Sequence, residues 1–304
     1  MDHIVEITND FWKVGITPAG GGSIAYAKVL VQGAWVDVMR VTPQDKLADA
    51  WSTASFPLIP WSNRIPDGAF PWNGQDRAVR VNFADGTAIH GTALEYGWEV
   101  DSADENSVTL SFDSRKHEGV NWPWDFTSRQ VYSLDGERFA CTMELSNPGE
   151  ESFPGGLGHH PYFVRDLGVG GPAHLQLNCE TYYPAVGCIP TAGPSPLEPR
   201  VDFRSLRPLG TEFVDDCWTG RSSSTLATIE YPGALTVDLE AGALYEHAVV
   251  YIPLGEDIFC VEPVTNANNG VNLLAEGAAG TGVFAVEPGE TKASTFTFIA
   301  QPHA

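Results

Sequence analysis

Positive charge is scarce in this 304-residue chain: 17 Lys and Arg stand against 39 Asp and Glu, a formal net charge of −22. A chain of that sign repels nucleic-acid phosphates and anionic membrane surfaces, so neither is an expected partner. It also weighs against a strongly anionic substrate and leaves a polar, uncharged one open. Long apolar runs are missing as well, since no stretch approaches the roughly 18 residues that a membrane-crossing helix needs. The opening Met1-Asp2-His3-Ile4-Val5-Glu6 has neither the basic start nor the apolar core of a leader, which predicts a cytoplasmic protein. Cysteines are few and odd in number, at Cys141, Cys179, Cys188, Cys217 and Cys260, with no Cys-x-x-Cys pair. They read as reduced, mostly buried thiols. No Gly-x-Gly-x-x-Gly follows a predicted strand, and there is no Walker sequence, Gly-x-Ser-x-Gly elbow or His-Glu-x-x-His. Phosphate-cradling loops, serine hydrolysis and a zinc site lose support accordingly, and neither cofactor nor metal is expected.

Strand periodicity and turn residues are abundant. Val108, Leu110 and Phe112 alternate with Thr109 and Ser111. Phe139, Cys141, Met143 and Leu145 alternate with Ala140, Thr142, Glu144 and Ser146, and Leu235, Val237 and Leu239 repeat the pattern. Successive side chains on a strand point to opposite faces, so this alternation predicts sheets with one face against a core. A hairpin is predicted over 126–145, turning at Asp135-Gly136. The 31 Gly and 22 Pro supply turns without any collagen-like period. Helical patterning is hard to find, and Pro43–Trp51 offers one or two turns at most. Strands do not alternate with helices, which argues against a parallel α/β sheet. The Gly/Pro-rich stretch from Tyr183 to Pro199 reads as a long connection rather than a boundary. The expectation is an all-β chain, a large antiparallel β-sandwich forming one domain over 1–304.

Four clusters near turn signals carry the chemistry. Pro60-Trp61-Ser62-Asn63-Arg64-Ile65-Pro66-Asp67-Gly68-Ala69-Phe70 presents an arginine, a rigid fork of donors suited to ligand hydroxyls or to a carboxylate partner. Ile89-His90-Gly91 places a histidine just beyond the Asp85-Gly86 turn, where a satisfied structural role competes with a functional one. Gly158-His159-His160-Pro161-Tyr162-Phe163 holds adjacent histidines, of which extended backbone sends only one into a given cleft. Phe259-Cys260-Val261-Glu262-Pro263 sets a carboxylate inside an apolar strand, before a proline expected to end or edge it. A buried Glu must be paired or have a raised pKa; a general base and a structural ion pair both fit. Trp61, Trp72, Trp98, Trp122 and Trp124 lie near these clusters, with rings able to stack on sugar faces but more suited to core packing.

Together these clusters resemble the aldose 1-epimerase (galactose mutarotase-like) family. The resemblance rests on Asn63-Arg64-Ile65 with Gly68 and Phe70, His90-Gly91, and Trp122-Pro123-Trp124-Asp125-Phe126. It continues through Gly158-His159-His160-Pro161-Tyr162-Phe163, Glu262-Pro263 and Pro288-Gly289-Glu290, in order, from about residue 10 to about residue 300. It implies a galactose mutarotase-like supersandwich and an isomerase that interconverts the α and β anomers of a free hexose or related aldose. Glu262 would then be the base at the anomeric hydroxyl and His160 the acid at the ring oxygen. His90 would assist, with Arg64, Asn63, Asp215 and Tyr162 binding substrate. The doubled acid Asp215-Asp216 leaves open which of the two faces the sugar, with Asp215 preferred. The mechanism asks for protonated His160 beside ionised Glu262, a state their attraction is expected to favour. The partner implied is a small-molecule sugar, to a monomer or homodimer. The alternatives are a mutarotase of an anionic 6-phospho or sulfo sugar, a non-catalytic carbohydrate-binding or sensing protein, and a lyase or hydrolase on a similar sandwich. Hydrolysis normally uses two carboxylates about 5–10 Å apart, and one stands out here.

Overall fold

Alternation in sequence becomes alternation in burial. Along Arg138–Ser146, Phe139, Cys141, Met143 and Leu145 are buried while the residues between them are half-buried. The computed structural model describes residues 4–303. Met1, Asp2 and His3, on which the leader reading partly rests, lie outside the described residues, as does Ala304. Among the described residues no helix is long and apolar enough to cross a membrane.

The nine-stranded sheet runs, in spatial order, Glu99–Ala103, Ser107–Asp113, Thr127–Asp135, Arg138–Ser146, Thr291–Pro302, Leu235–Ala241, Thr225–Tyr231, His174–Leu177 and Arg207–Pro208. Its neighbours are antiparallel throughout. The predicted hairpin is there, displaced by one residue at its tip: Asp135 pairs with Arg138, so Gly136 and Glu137 make the turn. Gly136 adopts φ +55°, the left-handed conformation that glycine accepts without a Cβ clash.

A second, eight-stranded antiparallel sheet contains Ser195–Pro196, Cys179–Tyr183, Val214–Arg221, His247–Ile252, Ile258–Val264, Gly158–His159 and Pro57–Leu58, with Tyr162–Val164 also paired to Ile258–Val264. Its inner side chains meet those of the larger sheet: Phe163 lies 5.6 Å from Phe298 between ring centroids, and His159 5.6 Å from Phe296. A four-stranded antiparallel sheet, Val5–Thr8, Trp12–Thr17, Ser23–Val31 and Ala34–Asp37, completes the packing, with Trp12 against Phe139. The core so formed draws side chains from Ile7 to Ala300. This is the large antiparallel β fold expected from the periodicity.

Three local features differ from expectation. Pro263 does not end its strand, which continues to Val264. The neighbouring chain breaks between Gly158–His159 and Tyr162–Val164, so the missing N–H of Pro263 falls opposite a gap in the ladder. Tyr183–Pro199 is a connection, but it carries the hairpin Ala185–Val186 and Ile189–Pro190. The one α-helix among the described residues, Gly270–Ala275, has six residues, too few for a periodic signal. Pro43–Trp51 supplies two 3₁₀ turns, Gln44–Lys46 and Ala50–Ser52.

Candidate active site

Strand register builds the site. Asp215 faces Tyr251, Tyr251 faces Cys260, and Cys260 faces Tyr162, one row across the smaller sheet; the next row sets Cys217, Val249 and Glu262 side by side. Directly paired residues share a face, so these rows lie on the side away from the larger sheet. There they floor a cavity of about 300 Å³ walled by Trp51, Arg64, Phe83, His90, Cys188 and Phe213. Asn63 and His160 also line it. Every residue singled out from the sequence for catalysis or substrate binding therefore borders one cavity.

At its floor His160 Nε2 lies 3.2 Å from Glu262 Oε1. Both are buried, at 6% and 1% exposure. His160 packs against Phe56 and Tyr162, with ring centroids 4.8 and 4.5 Å away, and Arg40 stacks on the Tyr162 ring, 3.4 Å from its centroid. The edge of His90 meets His160 at 5.1 Å. Glu262 Oε2, His160 Nδ1 and His90 Nδ1 are buried without a hydrogen-bond partner. Buried polar atoms rarely stay unpaired, and a cluster of three beside a cavity marks a place for hydrogen-bonding ligand groups.

The left-handed backbone of two residues aims the second wall. Asn63 (φ +58°) accepts the His90 N–H on its carbonyl at 3.1 Å, and His90 itself stands at φ +64°. Gly91 must be glycine, because a Cβ there would lie 2.0 Å from the Ile59 carbonyl oxygen. Arg64 is clamped between two acids, Nε to Asp85 Oδ2 at 2.9 Å and Nη1 to Asp215 Oδ2 at 3.3 Å. Asn63 Oδ1 accepts the Arg64 backbone N–H at 2.9 Å, making it a prop for the arginine as well as a cavity residue.

The doubled acid separates by alternation. Asp215 turns to the cavity; Asp216 turns away into a bidentate pair with Arg200, at 2.7 and 2.8 Å. The doubled histidine separates in the same way. His159 points between the sheets, its Nδ1 meeting the Ser55 hydroxyl and its Nε2 lying 2.9 Å from the Tyr132 hydroxyl.

Burial works against the expected protonation of the pair. Burial pushes His160 down to about 3, with Arg40 adding to the effect. Burial pushes Glu262 well above the usual carboxylate range, Asp215 reinforces this, and Arg64 opposes it. Burial disfavours charge on each partner, while their 3.2 Å contact favours the ion pair. Burial likewise raises Asp215, against Arg64 and the Cys188 thiol, and lowers His90 well below its ordinary value.

Sequence reasoning missed several walls. Trp51 falls in the predicted helical turns, Phe83, Phe213 and Tyr251 carry no motif, and Asp85 is visible only as half of a turn. Cys188 had a signal, since Val186-Gly187-Cys188-Ile189 is a two-residue hairpin tip. Of the five tryptophans named from the sequence, none lines the cavity. Trp122 stacks on both Trp61 and Phe70 in the core, while Trp72 and Trp124 are half-buried. Among the described residues no three His, Cys, Asp or Glu side chains converge as metal ligands, and the site's polar groups present hydrogen-bond donors and acceptors.

The chain is similar over most or nearly all of its length to several known proteins. It is 24% identical over 304 residues to the uncharacterised protein YphB of Escherichia coli (strain K12), covering 96% of each chain. It is 28% identical over 228 residues to the uncharacterised protein YihR of the same organism, covering 71% of this chain and 72% of that one. Its fold superposes on a galactose mutarotase-like protein from Clostridium acetobutylicum with TM-score 0.86 at 18% identity, covering 98% and 95% of the two chains. It superposes on galactose 1-epimerase from Lactobacillus acidophilus NCFM with TM-score 0.78 at 14% identity, covering 99% and 95%. Residues 4–298 match the family described as aldose 1-epimerase. With that match spanning nearly every residue from the first strand to the last, the chain belongs to the aldose 1-epimerase family.

Proposed function

We propose that this protein is an aldose 1-epimerase that equilibrates the α and β anomers of a free, uncharged aldose. The observation that carries this reading is the His160–Glu262 contact at 3.2 Å on the floor of a cavity, with Glu262 Oε2 buried and unpartnered. A binding module needs the arginine and the aromatic walls. It gains nothing from a buried acid–base pair that keeps an unpaired carboxylate oxygen.

Anomer exchange requires a cyclic hemiacetal to open and reclose. Glu262 takes the proton of the anomeric hydroxyl, His160 gives one to the ring oxygen, and the C1–ring oxygen bond breaks to leave an open-chain aldehyde. Rotation about C1–C2 exposes the other face, and the two groups exchange duties on closure. Each partner typically contributes about 10²–10⁴-fold. The resting neutral pair and the reactive ion pair hold the same protons, differing by one transfer along the His160–Glu262 contact. Sugar hydroxyls entering the cavity stabilise the ionic form that dry surroundings disfavour. After ring opening the pair is neutral again, so burial lowers the open-chain state.

Arg64 is the one cation lining the cavity among the described residues, and Asp85 and Asp215 already oppose its charge. That leaves no uncompensated cation for a phosphate or sulfonate and favours a neutral aldose. The core that draws on both ends of the chain supports reading 1–304 as one domain. The test is polarimetry, or NMR exchange, of freshly dissolved α-anomers across a panel of neutral and phosphorylated aldoses. Absence of catalysis on every sugar that binds would replace this reading with that of a carbohydrate sensor.

A further inference from the structure

The hairpin formed by Ala185–Val186 and Ile189–Pro190 turns on Gly187 and Cys188, at φ +58° and +65°. Positive φ at both positions is the tight hairpin turn that glycine and asparagine usually supply. Here a thiol occupies one of them, in a conformation side chains seldom adopt. The tip is pinned from behind. Asn268 donates to the Cys188 carbonyl at 3.1 Å and Asn269 to the Pro190 carbonyl at 3.0 Å, while the Asn269 backbone N–H donates to the Arg64 carbonyl at 2.9 Å. One segment thus fixes both the hairpin tip and the arginine of the cavity wall.

The thiol reaches into the site. Cys188 Sγ lies 3.1 Å from Asp215 Oδ2, the same oxygen that meets Arg64 Nη1 at 3.3 Å. Asp215 Oδ1 accepts no protein hydrogen bond among the described residues. The other four cysteines are buried, whereas Cys188 is half-buried and lines the cavity. Across the same cavity Glu262 Oε2 is buried and unpartnered, an independent sign that a polar ligand is received there.

We infer that Cys188 is a positioning residue for substrate recognition: by donating its S–H to Asp215 Oδ2 it fixes the carboxylate so that Oδ1 is presented to a sugar hydroxyl. The inference rests on the reading that Asp215 binds substrate. It requires the sulfur to stay protonated, because a thiolate has no proton to donate. Burial and the neighbouring Asp215 charge push the thiol up to about 12, which keeps it a donor at neutral pH.

The test combines kinetics with thiol chemistry. Cys188→Ala raises KM for a neutral aldose about five- to tenfold with kcat changing less than about twofold, the size expected for one ordinary hydrogen bond, S–H being a weak donor. Cys188→Ser, which keeps the donor, returns KM to within about twofold of the native value. An unchanged KM in the alanine variant, a fall in kcat as large as that in kcat/KM, or failure of serine to rescue overturns the assignment. A second arm does not depend on catalysis: iodoacetamide alkylation of Cys188 in the intact protein, followed by peptide mass spectrometry. Asp215→Asn removes the charge that holds the thiol protonated and speeds alkylation about tenfold, since the thiolate is the nucleophile. An unchanged rate refutes the contact itself. A native protein that mutarotates no aldose, but shows this acceleration, defeats the functional reading and keeps the thiol–carboxylate coupling.

Discussion

Glu262→Gln separates catalysis from structure because the two readings predict opposite signs. Glu262 is 1% exposed, touches His160 through Oε1 at 3.2 Å and leaves Oε2 unpaired, with its carboxyl raised well above 4.5. A group whose folded pKa exceeds its unfolded value contributes stability below the unfolded pKa and loses it as pH climbs toward the folded one. Above pH 4.5 the unfolded chain gains by ionising Glu262 and the folded chain does not, at a cost of up to about 1.4 kcal/mol per pH unit until the folded pKa is reached. Glutamine keeps the shape and does not titrate. The variant should therefore be more stable than the native protein at pH 8, with the advantage shrinking toward pH 4.5. Mutarotation should fall about 10²–10⁴-fold, equivalent to roughly 2.7–5.5 kcal/mol of barrier. Denaturant unfolding at pH 4.5, 6 and 8 and polarimetry on one preparation read both quantities. A structural ion pair predicts the reverse, since removing one partner strands a buried charge and destabilises. Full activity in a folded variant, or a loss of stability at pH 8, refutes the reasoning.

His160→Asn should lose mutarotation about as severely as Glu262→Gln, and the double variant should lose much less than the product of the two, since the groups act as a unit; a multiplicative loss, read by polarimetry, rejects the pairing. His159→Asn should keep the activity of folded protein but cost about 1–3 kcal/mol in urea unfolding, because it disturbs the buried Ser55–His159–Tyr132 contacts. Buried His159 and His160 are lowered to about 3 and His247 to about 4, so unfolded chains bind more protons below pH 6.5 and stability should fall steadily from there toward pH 4; unfolding midpoints that stay level over that range contradict their burial as neutral groups. Neutral aldoses should be equilibrated with higher kcat/KM than their 6-phosphates at matched ionic strength, and the opposite ranking rejects the neutral-sugar reading.

The parts of this protein that were legible in the sequence are those governed by short-range rules. Phe139, Cys141, Met143 and Leu145 face the core because strand side chains alternate, and the same rule separated His159 from His160. It also separates Asp215 from Asp216, although the identity of the cavity-facing acid needed the strand's orientation as well as its period. Cavity walls supplied by Trp51, Phe83, Cys188 and Tyr251 come from four places in the chain, and only sheet register and loop packing bring them together. The helix Gly270–Ala275 escaped because six residues give less than two turns, and its start is set by Asn269 in a left-handed conformation rather than by a side-chain cap.

The contest between burial and attraction in the His160–Glu262 pair has a different origin. Residue types reveal that a histidine and a glutamate can attract, and a short contact between them was a sound expectation. The cost of charging them depends on depth, which no local pattern encodes. Phe56 and Tyr162 pack against the imidazole, and Arg40, stacked on Tyr162, opposes a second positive charge. Asp215 lies near enough to oppose a negative charge on Glu262, so each partner has a like charge nearby as well as its opposite. In the proposed mechanism the pair is poised: burial favours its neutral form, and sugar hydroxyls would make the ionic form accessible by moving one proton between two side chains. A permanent ion pair would lack the coupling between substrate entry and proton position that the proposed mechanism requires.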